Sequence, residues 1–173
     1  EKGYRYRDFV IIARETEKYE DSVYSACKLN GVPVFGDKRE PLAAFPAASA
    51  VNAALEFALR PASESILRFH KTGLGTLSTE EISALENYVF LWNIDGSMWQ
   101  SEWIMDPRGF VSEDEAKKDN GAELERINEL RKKAAEPLVS FKEKCRGTAA
   151  DMSRAVVELL ESCNAAEKLS MLS

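Results

Sequence analysis

One histidine and three cysteines are the residues of this 173-residue chain best suited to bind a soft metal ion. They are His70, Cys27, Cys145 and Cys163, and they are too far apart in sequence to form the clustered ligand set that a zinc or iron-sulfur site requires. The cysteines lie in apolar helical patterns, where a thiol acts as a small buried hydrophobe. We therefore expect reduced cysteines, a cytoplasmic setting, and a histidine that is packed or lies at the surface.

The sequence also lacks the usual motifs of a phosphate-binding loop and of a serine nucleophile. The string Lys71-Thr72-Gly73-Leu74-Gly75 has the wrong order for a phosphate-binding loop, and we interpret it as a helix-ending turn. The acidic pairs and triplets near residues 80–81, 113–115 and 123–125 stand at predicted helix starts, where carboxylates complement the helix dipole. No Gly-x-Ser-x-Gly string is present. The sequence predicts no catalytic site and no metal site in this segment.

Two groups of residues could contact nucleic acid. Trp92, Trp99 and Trp103 could stack on unpaired bases, but tryptophans that pin a loop onto helices are the commoner arrangement. Arg131-Lys132-Lys133 could touch phosphate, although three successive basic residues usually mark a solvated helix face. We predict that the tryptophans belong to the core and that the basic run is solvated.

The composition is that of a globular protein, with 45% apolar and 30% charged residues. A formal net charge of -6 argues against DNA binding across a whole surface. The apolar runs are far shorter than the ~20 residues of a membrane span, so no membrane contact is predicted. Because the chain opens at Glu1 without methionine and its last apolar pattern has no stop signal, we expect an interior segment of a longer protein.

The elements that must position these residues fall into two classes. Phe9 to Ala13 is a short β-branched run typical of a buried strand; a helical pattern follows up to Asn30-Gly31, and Val32 to Phe35 indicates a second strand. This order predicts a βαβ unit. After residue 45 the regular patterns all indicate helices, with caps at Ser78 and Thr148 and one long helix that continues or bends at Pro137. Met98 to Met105 has no clear period and predicts a tucked loop. The predicted fold class is mainly α with a small α/β (βαβ) portion at the N-terminus.

Three strings together resemble one protein family. They are Tyr6-Arg7-Asp8-Phe9-Val10-Ile11-Ile12-Ala13-Arg14, then Asn30-Gly31-Val32-Pro33-Val34-Phe35, and then Lys71-Thr72-Gly73-Leu74 followed by Leu85-Glu86-Asn87-Tyr88-Val89. They resemble the B subunit of the AddAB-type (RexAB-like) ATP-dependent helicase/exonuclease, a relative of the UvrD-type superfamily-one helicases. The resemblance implies a partial second motor (RecA-like) domain at residues 1–61 and a helical insertion domain at residues 62–173.

The resemblance also implies roles for residues and partners. Arg14 matches the arginine that, in such helicases, reaches toward the terminal phosphate of the nucleotide. The parent protein would use ATP, Mg and an iron-sulfur cluster, none of them held by this segment, and would pair with an A subunit. The complex would act on DNA, processing double-strand ends for recombinational repair.

Two hypotheses follow from the sequence. In the first, the segment is a non-catalytic part of such a B subunit that shapes the DNA channel and contacts the A subunit. In the second, it is a helical protein-interaction module with no nucleic-acid role. A basic stripe on the folded surface would favour the first hypothesis over the second.

Overall fold

The structure is a computed structural model that describes residues 3–36, 42–110 and 120–172. The chain divides into two compact units, residues 1–40 and 41–173, which are described separately below. The acidic triplet at 113–115, predicted to start a helix, lies outside the described residues.

The first unit contains one 3₁₀ turn and one helix within its described residues. The turn is Tyr6–Asp8, and helix α1 is Thr16–Leu29. Helix α1 ends as its sequence predicts, because the Asn30 side-chain amide donates to the Ala26 carbonyl and Gly31 takes a positive φ of 65°. No residue between 3 and 36 is buried.

The predicted βαβ portion was wrong for the described residues. The Phe9 to Ala13 run was expected to be a strand buried on both faces, yet Ile12 is 87% exposed and residues 3–36 contain no strand. No backbone hydrogen bond joins this run to residues 32–36. An apolar β-branched run becomes a strand only when a neighbouring strand completes its hydrogen bonds, and none of the described residues supplies that neighbour.

The regular secondary structure of the second unit is all helical in its described residues, in agreement with the predicted mainly α class. Short 3₁₀ turns lie at Leu42–Ala44 and Gly96–Gln100, and one turn of π-helix lies at His70–Leu74. The helices are α2 Pro46–Leu59, α3 Ser63–Phe69, α4 Thr79–Leu91, α5 Gly121–Lys144, α6 Ala149–Ser162 and α7 Ala165–Leu172.

Helix α2 lies at the centre of the second unit. Pro46 occupies its first turn, where no amide hydrogen is needed, and three alanines on its inner face, Ala50, Ala53 and Ala54, are fully buried. These small residues let α3 and α5 pack closely against it.

The boundary between the two units precedes α2, at residues 40 and 41, whereas the sequence placed a domain boundary at 61 and 62. The assignment of either part to a motor or insertion domain stays a prediction.

Both predicted helix caps are confirmed. The Ser78 hydroxyl accepts from the Glu81 amide while the Glu81 carboxylate accepts from the Ser78 amide, at 3.3 and 2.7 Å. Thr148 and Asp151 form the same reciprocal pair at the start of α6. Each pair satisfies amide hydrogens that a helix start leaves without intrahelical partners.

Helix α5 runs without interruption through Pro137, one of the two outcomes that its sequence predicts. Proline has no amide hydrogen to donate to the carbonyl four residues earlier, which belongs to Lys133. That carbonyl accepts instead from the Thr76 hydroxyl at 3.1 Å. The next carbonyl, that of Ala134, accepts from His70 Nε2 at 3.0 Å. The proline therefore fixes where the turn after α3 binds α5.

The turn that supplies these donors depends on two glycines. Gly73 has a φ of 78°, which side chains disfavour. Gly75 has an ordinary backbone, but a Cβ placed there would overlap His70 Nδ1 and lie 2.9 Å from His70 Cα. The Lys168 ammonium of α7 donates to the Gly75 carbonyl and holds the turn from the other side. This turn joins α3, α5 and α7.

We expect Gly75→Ala and Gly73→Ala to destabilise the chain for different reasons. Gly73→Ala forces a left-handed backbone and should cost roughly 1 to 2 kcal/mol in the free energy of unfolding. Gly75→Ala overpacks the space beside His70 and should cost about 3 kcal/mol. Urea unfolding followed by tryptophan fluorescence measures both.

The same pair of substitutions in a His70→Ala background separates the two causes. Removal of the imidazole should lower the cost of Gly75→Ala and leave that of Gly73→Ala unchanged. Equal costs of Gly75→Ala in both backgrounds would contradict the overlap with His70.

Candidate functional site

Arg14, the one residue assigned a nucleotide role, lies in the first unit just before α1. Its side chain is exposed and makes no hydrogen bond or ion pair with any described residue. It is therefore accessible to a ligand and not committed to a structural pair among these residues. Its role toward a nucleotide phosphate stays a prediction.

The two parts of the third string that carries the resemblance, Lys71 to Leu74 and Leu85 to Val89, meet in the fold. The Lys71 ammonium, in the turn after α3, pairs with the Glu86 carboxylate of α4. Leu74 and Leu85 are fully buried in the shared core, and Thr72 caps the turn by donating to the Phe69 carbonyl. Both parts of the third string therefore help to pack α4 against the turn after α3.

The tryptophan prediction is confirmed at two of its three positions, because Trp99 and Trp103 are only 3% and 2% exposed. Tyr88 of α4 stacks on Trp103, with ring centroids 4.9 Å apart and an interplanar angle of 7°, and Trp99 meets Trp103 edge to face. Trp92 is half-buried and donates to the Asp106 carbonyl. These rings pin the loop that follows α4 onto the helices and leave no stack of exposed indoles for bases.

Asn128 of α5 holds the backbone of that loop. Its side-chain oxygen accepts from the Trp103 amide at 2.9 Å, and its side-chain nitrogen donates to the Trp103 carbonyl at 2.8 Å. One buried amide group thus replaces the two backbone partners that a neighbouring strand would provide. The loop has a defined path although it has no regular secondary structure at this point.

Arg131 departs from the prediction of a solvated basic face. It is only 6% exposed, lies 5.9 Å above the Trp103 ring, and donates to the Trp99 carbonyl and to the Asn128 side chain. Burial lowers the pKa of its guanidinium, which stays charged because an arginine starts from a very high pKa. Lys132 and Lys133 are exposed as expected.

The sequence contained a signal for this burial. Asn128 and Arg131 each lie four residues after an apolar position of α5, at Leu124 and Ile127, and so fall on the inner stripe of the helix. The run of three basic residues predicts a solvated helix face, and this prediction overlooks that Arg131 lies on the apolar stripe.

His70 is a packed histidine, one of its two expected outcomes. It is fully buried, and its Nδ1 atom has no hydrogen-bond partner among the described residues. Burial is the main cause that lowers its pKa to about 4, and the nearby Lys168 and Lys133 ammonium groups act in the same direction. At neutral pH it is an uncharged donor to the Ala134 carbonyl and cannot serve as an exposed acid or base.

Seven of the thirteen lysine and arginine side chains that the structure describes in the second unit form ion pairs. Pairs span elements at Arg68–Glu56, Lys133–Glu81 and Lys144–Glu158. Others link neighbours along the chain, as at Arg126–Glu123 and Arg154–Asp151. These pairs neutralise about half of the cations that could otherwise contact a nucleic-acid backbone.

Clustered metal ligands are absent from the part of the chain that the structure describes. Across residues 3–36, 42–110 and 120–172, no group of three or more histidine, cysteine or acidic side chains is placed to hold a metal ion. All three cysteines are free thiols; Cys163 is buried as its helical pattern predicts, whereas Cys27 and Cys145 are only partly buried. Within the same ranges, no helix combines the length and the apolar character that crossing a bilayer requires.

Comparison with known proteins gives consistent relatives. No protein-family model matches the chain. The B subunit of the ATP-dependent helicase/deoxyribonuclease of Clostridium perfringens (strain 13) is 31% identical over 170 residues, which cover 94% of this chain and 15% of that protein. Proteins of the same name from Pelotomaculum thermopropionicum and Heliobacterium modesticaldum are 34% and 35% identical and cover 100% and 98% of the chain.

These relatives confirm the resemblance to the B subunits along nearly the whole chain, beyond the residues that first indicated it. The chain spans only about 15% of the length of the curated relatives that it matches. It is similar to one segment of these B subunits.

The lowered pKa of His70 predicts a loss of stability in acid. The unfolded chain protonates this histidine near pH 6.5 and the folded chain only near pH 4, so the unfolded state binds more protons between these values. The free energy of unfolding should fall by roughly 3 kcal/mol from neutral pH to about pH 4 because of this residue. In a His70→Gln variant, whose side chain does not titrate, the free energy of unfolding should fall by roughly 3 kcal/mol less over the same pH range. Urea unfolding at each pH measures this difference. Parallel pH profiles of the two proteins would contradict the assignment.

Asn128→Ala should destabilise the second unit by about 2 to 4 kcal/mol, because it leaves the buried amide and carbonyl of Trp103 without partners. Asn87→Ala, at an exposed position of α4, is the matched control and should cost less than about 1 kcal/mol. Urea unfolding followed by tryptophan fluorescence measures both. A similar cost for the two variants would show that the loop is held by other contacts.

Proposed function

We propose that this chain is a segment of the B subunit of an ATP-dependent helicase/deoxyribonuclease, and that it serves this subunit as a non-catalytic scaffold. The observation that carries the proposal is the similarity at 31 to 35% identity along nearly the whole chain to curated proteins of that name. The pairing of Lys71 with Glu86 supports it, because the two parts of the third string of the resemblance meet in one packed contact.

The scaffold role is supported by the chemistry of the described residues. Their polar side chains at buried positions, such as Asn128 and Arg131, satisfy backbone groups of the protein itself. Among these residues, no acid, base or nucleophile stands free in a cleft with a partner that could activate it. The segment would therefore hold other parts of the subunit in place, and the chemistry would lie elsewhere in the parent protein.

The parent's cofactors, substrate and partner are part of the same proposal. The B subunit would bind ATP, Mg and an iron-sulfur cluster, assemble with an A subunit, and act on DNA ends in recombinational repair in the cytoplasm. The described residues bring together no ligand set that fits a metal or cluster, so the ligands would come from elsewhere in the parent. Arg14, exposed and unpaired among these residues, would contribute a charged contact to the nucleotide phosphate.

One observation favours protein contacts over DNA contacts for the second unit. Seven of its thirteen described lysine and arginine side chains pair with carboxylates, as in the Lys133–Glu81 pair at 2.8 Å. Contact with another subunit, or with other domains of the same subunit, suits such a surface better than contact with a phosphate backbone. A helical protein-interaction module without a nucleic-acid role is therefore the second candidate function for this unit.

A segment exchange tests the proposal. The matching segment of the Clostridium perfringens relative is replaced by this chain, and ATP-dependent DNA degradation by the assembled enzyme is measured. We expect the chimera to assemble with its A subunit and to keep activity within about tenfold of the parent, because the exchanged segment supplies shape and not chemistry.

Two variants of the chimera make the result specific. Arg14→Gln should lower the ATP-dependent rate by roughly tenfold or more if it touches the phosphate, and Lys28→Gln, an exposed change of the same charge, should not. A chimera that folds and assembles but degrades no DNA would contradict the scaffold role. Equal rates for the two variants would contradict the role of Arg14.

A further inference from the structure

A cleft in the second unit lies between α2, the 3₁₀ turn Gly96–Gln100 and α5. Its volume is about 410 Å³, which falls within the range of pockets that hold small molecules. Five residues form its apolar walls: Phe57, Pro61, Trp99, Ala135 and Val139. We call it the α2–α5 cleft.

The walls of the α2–α5 cleft are held in place by the fold. Phe57 and Trp99 are only 4% and 3% exposed, so both rings are packed on their other sides. The Trp99 indole donates to the Ser63 hydroxyl at 2.7 Å, and the Trp99 carbonyl accepts from Arg131 at 2.6 Å. A cleft whose walls are already ordered binds a ligand at a lower entropy cost than one that must form on binding.

Three polar side chains line the same cleft without partners. Gln100, Lys132 and Glu136 are exposed, and their side chains make no hydrogen bond or ion pair with any described residue. Lys132 and Glu136 lie one turn apart on one face of α5, in the order that favours pairing with each other least. The cleft therefore combines an apolar interior with a free cation and a free anion at its edge.

These features select the chemistry of a ligand. Phe57 and Trp99 suit a large apolar group, Lys132 suits a carboxylate, and Glu136 suits an ammonium group. A ligand with only one charge would leave the other charge of the cleft unmatched. A free α-amino acid with a large apolar side chain carries all three groups, and its two charges are as close together as side chains one helical turn apart can reach.

We propose that the α2–α5 cleft binds a free α-amino acid with a large apolar side chain. Its carboxylate pairs with Lys132 and accepts from the Gln100 amide, and its ammonium group pairs with Glu136. Its side chain lies against Phe57 and Trp99. The site uses residues of the second unit alone, so it does not depend on the proposed function.

The test titrates this chain with L-phenylalanine and follows binding by isothermal titration calorimetry. We expect a Kd of about 1 mM, because a ligand this small gains only modest binding energy. Glycine lacks the apolar group and should bind at least roughly tenfold more weakly. Phenethylamine lacks the carboxylate and 3-phenylpropanoate lacks the ammonium group, and each should bind about threefold to fivefold more weakly, as expected for loss of one exposed ion pair.

Two variants assign each charge of the ligand to one side chain. Lys132→Gln should weaken binding of L-phenylalanine by about threefold to fivefold and should not weaken binding of phenethylamine, which has no carboxylate to lose. Glu136→Gln should weaken binding of L-phenylalanine by the same factor and should not weaken binding of 3-phenylpropanoate. A variant that weakens L-phenylalanine and the matching analogue equally would overturn the assignment.

Two matched controls come from the same helix. Lys142→Gln and Glu129→Gln each remove a charge of α5 that does not line the cleft, and both should bind L-phenylalanine as the unmodified chain does. No heat of binding at about 10 mM L-phenylalanine, or glycine binding as tightly as L-phenylalanine, would overturn the proposal. Equal losses in the cleft variants and in the controls would also overturn it.

Discussion

The missing amide hydrogen of Pro137 is the constraint around which the second unit is arranged. It removes the helical donor for the Lys133 carbonyl, and the turn after α3 supplies another through Thr76. His70 donates to the neighbouring carbonyl from a fully buried position. For both donors to reach α5, the chain between them must turn sharply, and Gly73 makes this possible with its positive φ. The carbonyl that Pro137 leaves without a helical donor on α5 thus helps to determine how the chain turns after α3.

A second group of polar residues on α5 has a similar effect on the loop after α4. Asn128 and Arg131 occupy the apolar stripe of the helix and bind backbone groups of Trp103 and Trp99. A buried polar group is tolerated only when its hydrogen bonds are complete. The hydrogen bonds of these two residues are complete only when the loop follows the path seen here, so other loop conformations are disfavoured. The core therefore specifies the path of an irregular segment as well as the packing of helices.

These arrangements explain why the residues that resemble the B subunits are structural ones. Lys71 and Glu86 belong to two separated parts of the third string and form one ion pair in the fold. The first unit differs, because its exposed residues, Arg14 among them, find little to bind within the described chain and remain available to ligands or to other parts of a larger protein.

The sequence by itself determined the helices of the second unit, both of their caps at Ser78 and Thr148, and the burial of Trp99 and Trp103, because periodicity and capping are local properties. It did not determine the state of the Phe9 to Ala13 run, since a strand exists only with a partner strand. The apolar stripe places Arg131 on the inner face of α5, but its burial also depends on a carbonyl contributed by a distant loop. Only the tertiary structure brought those partners together or left them apart.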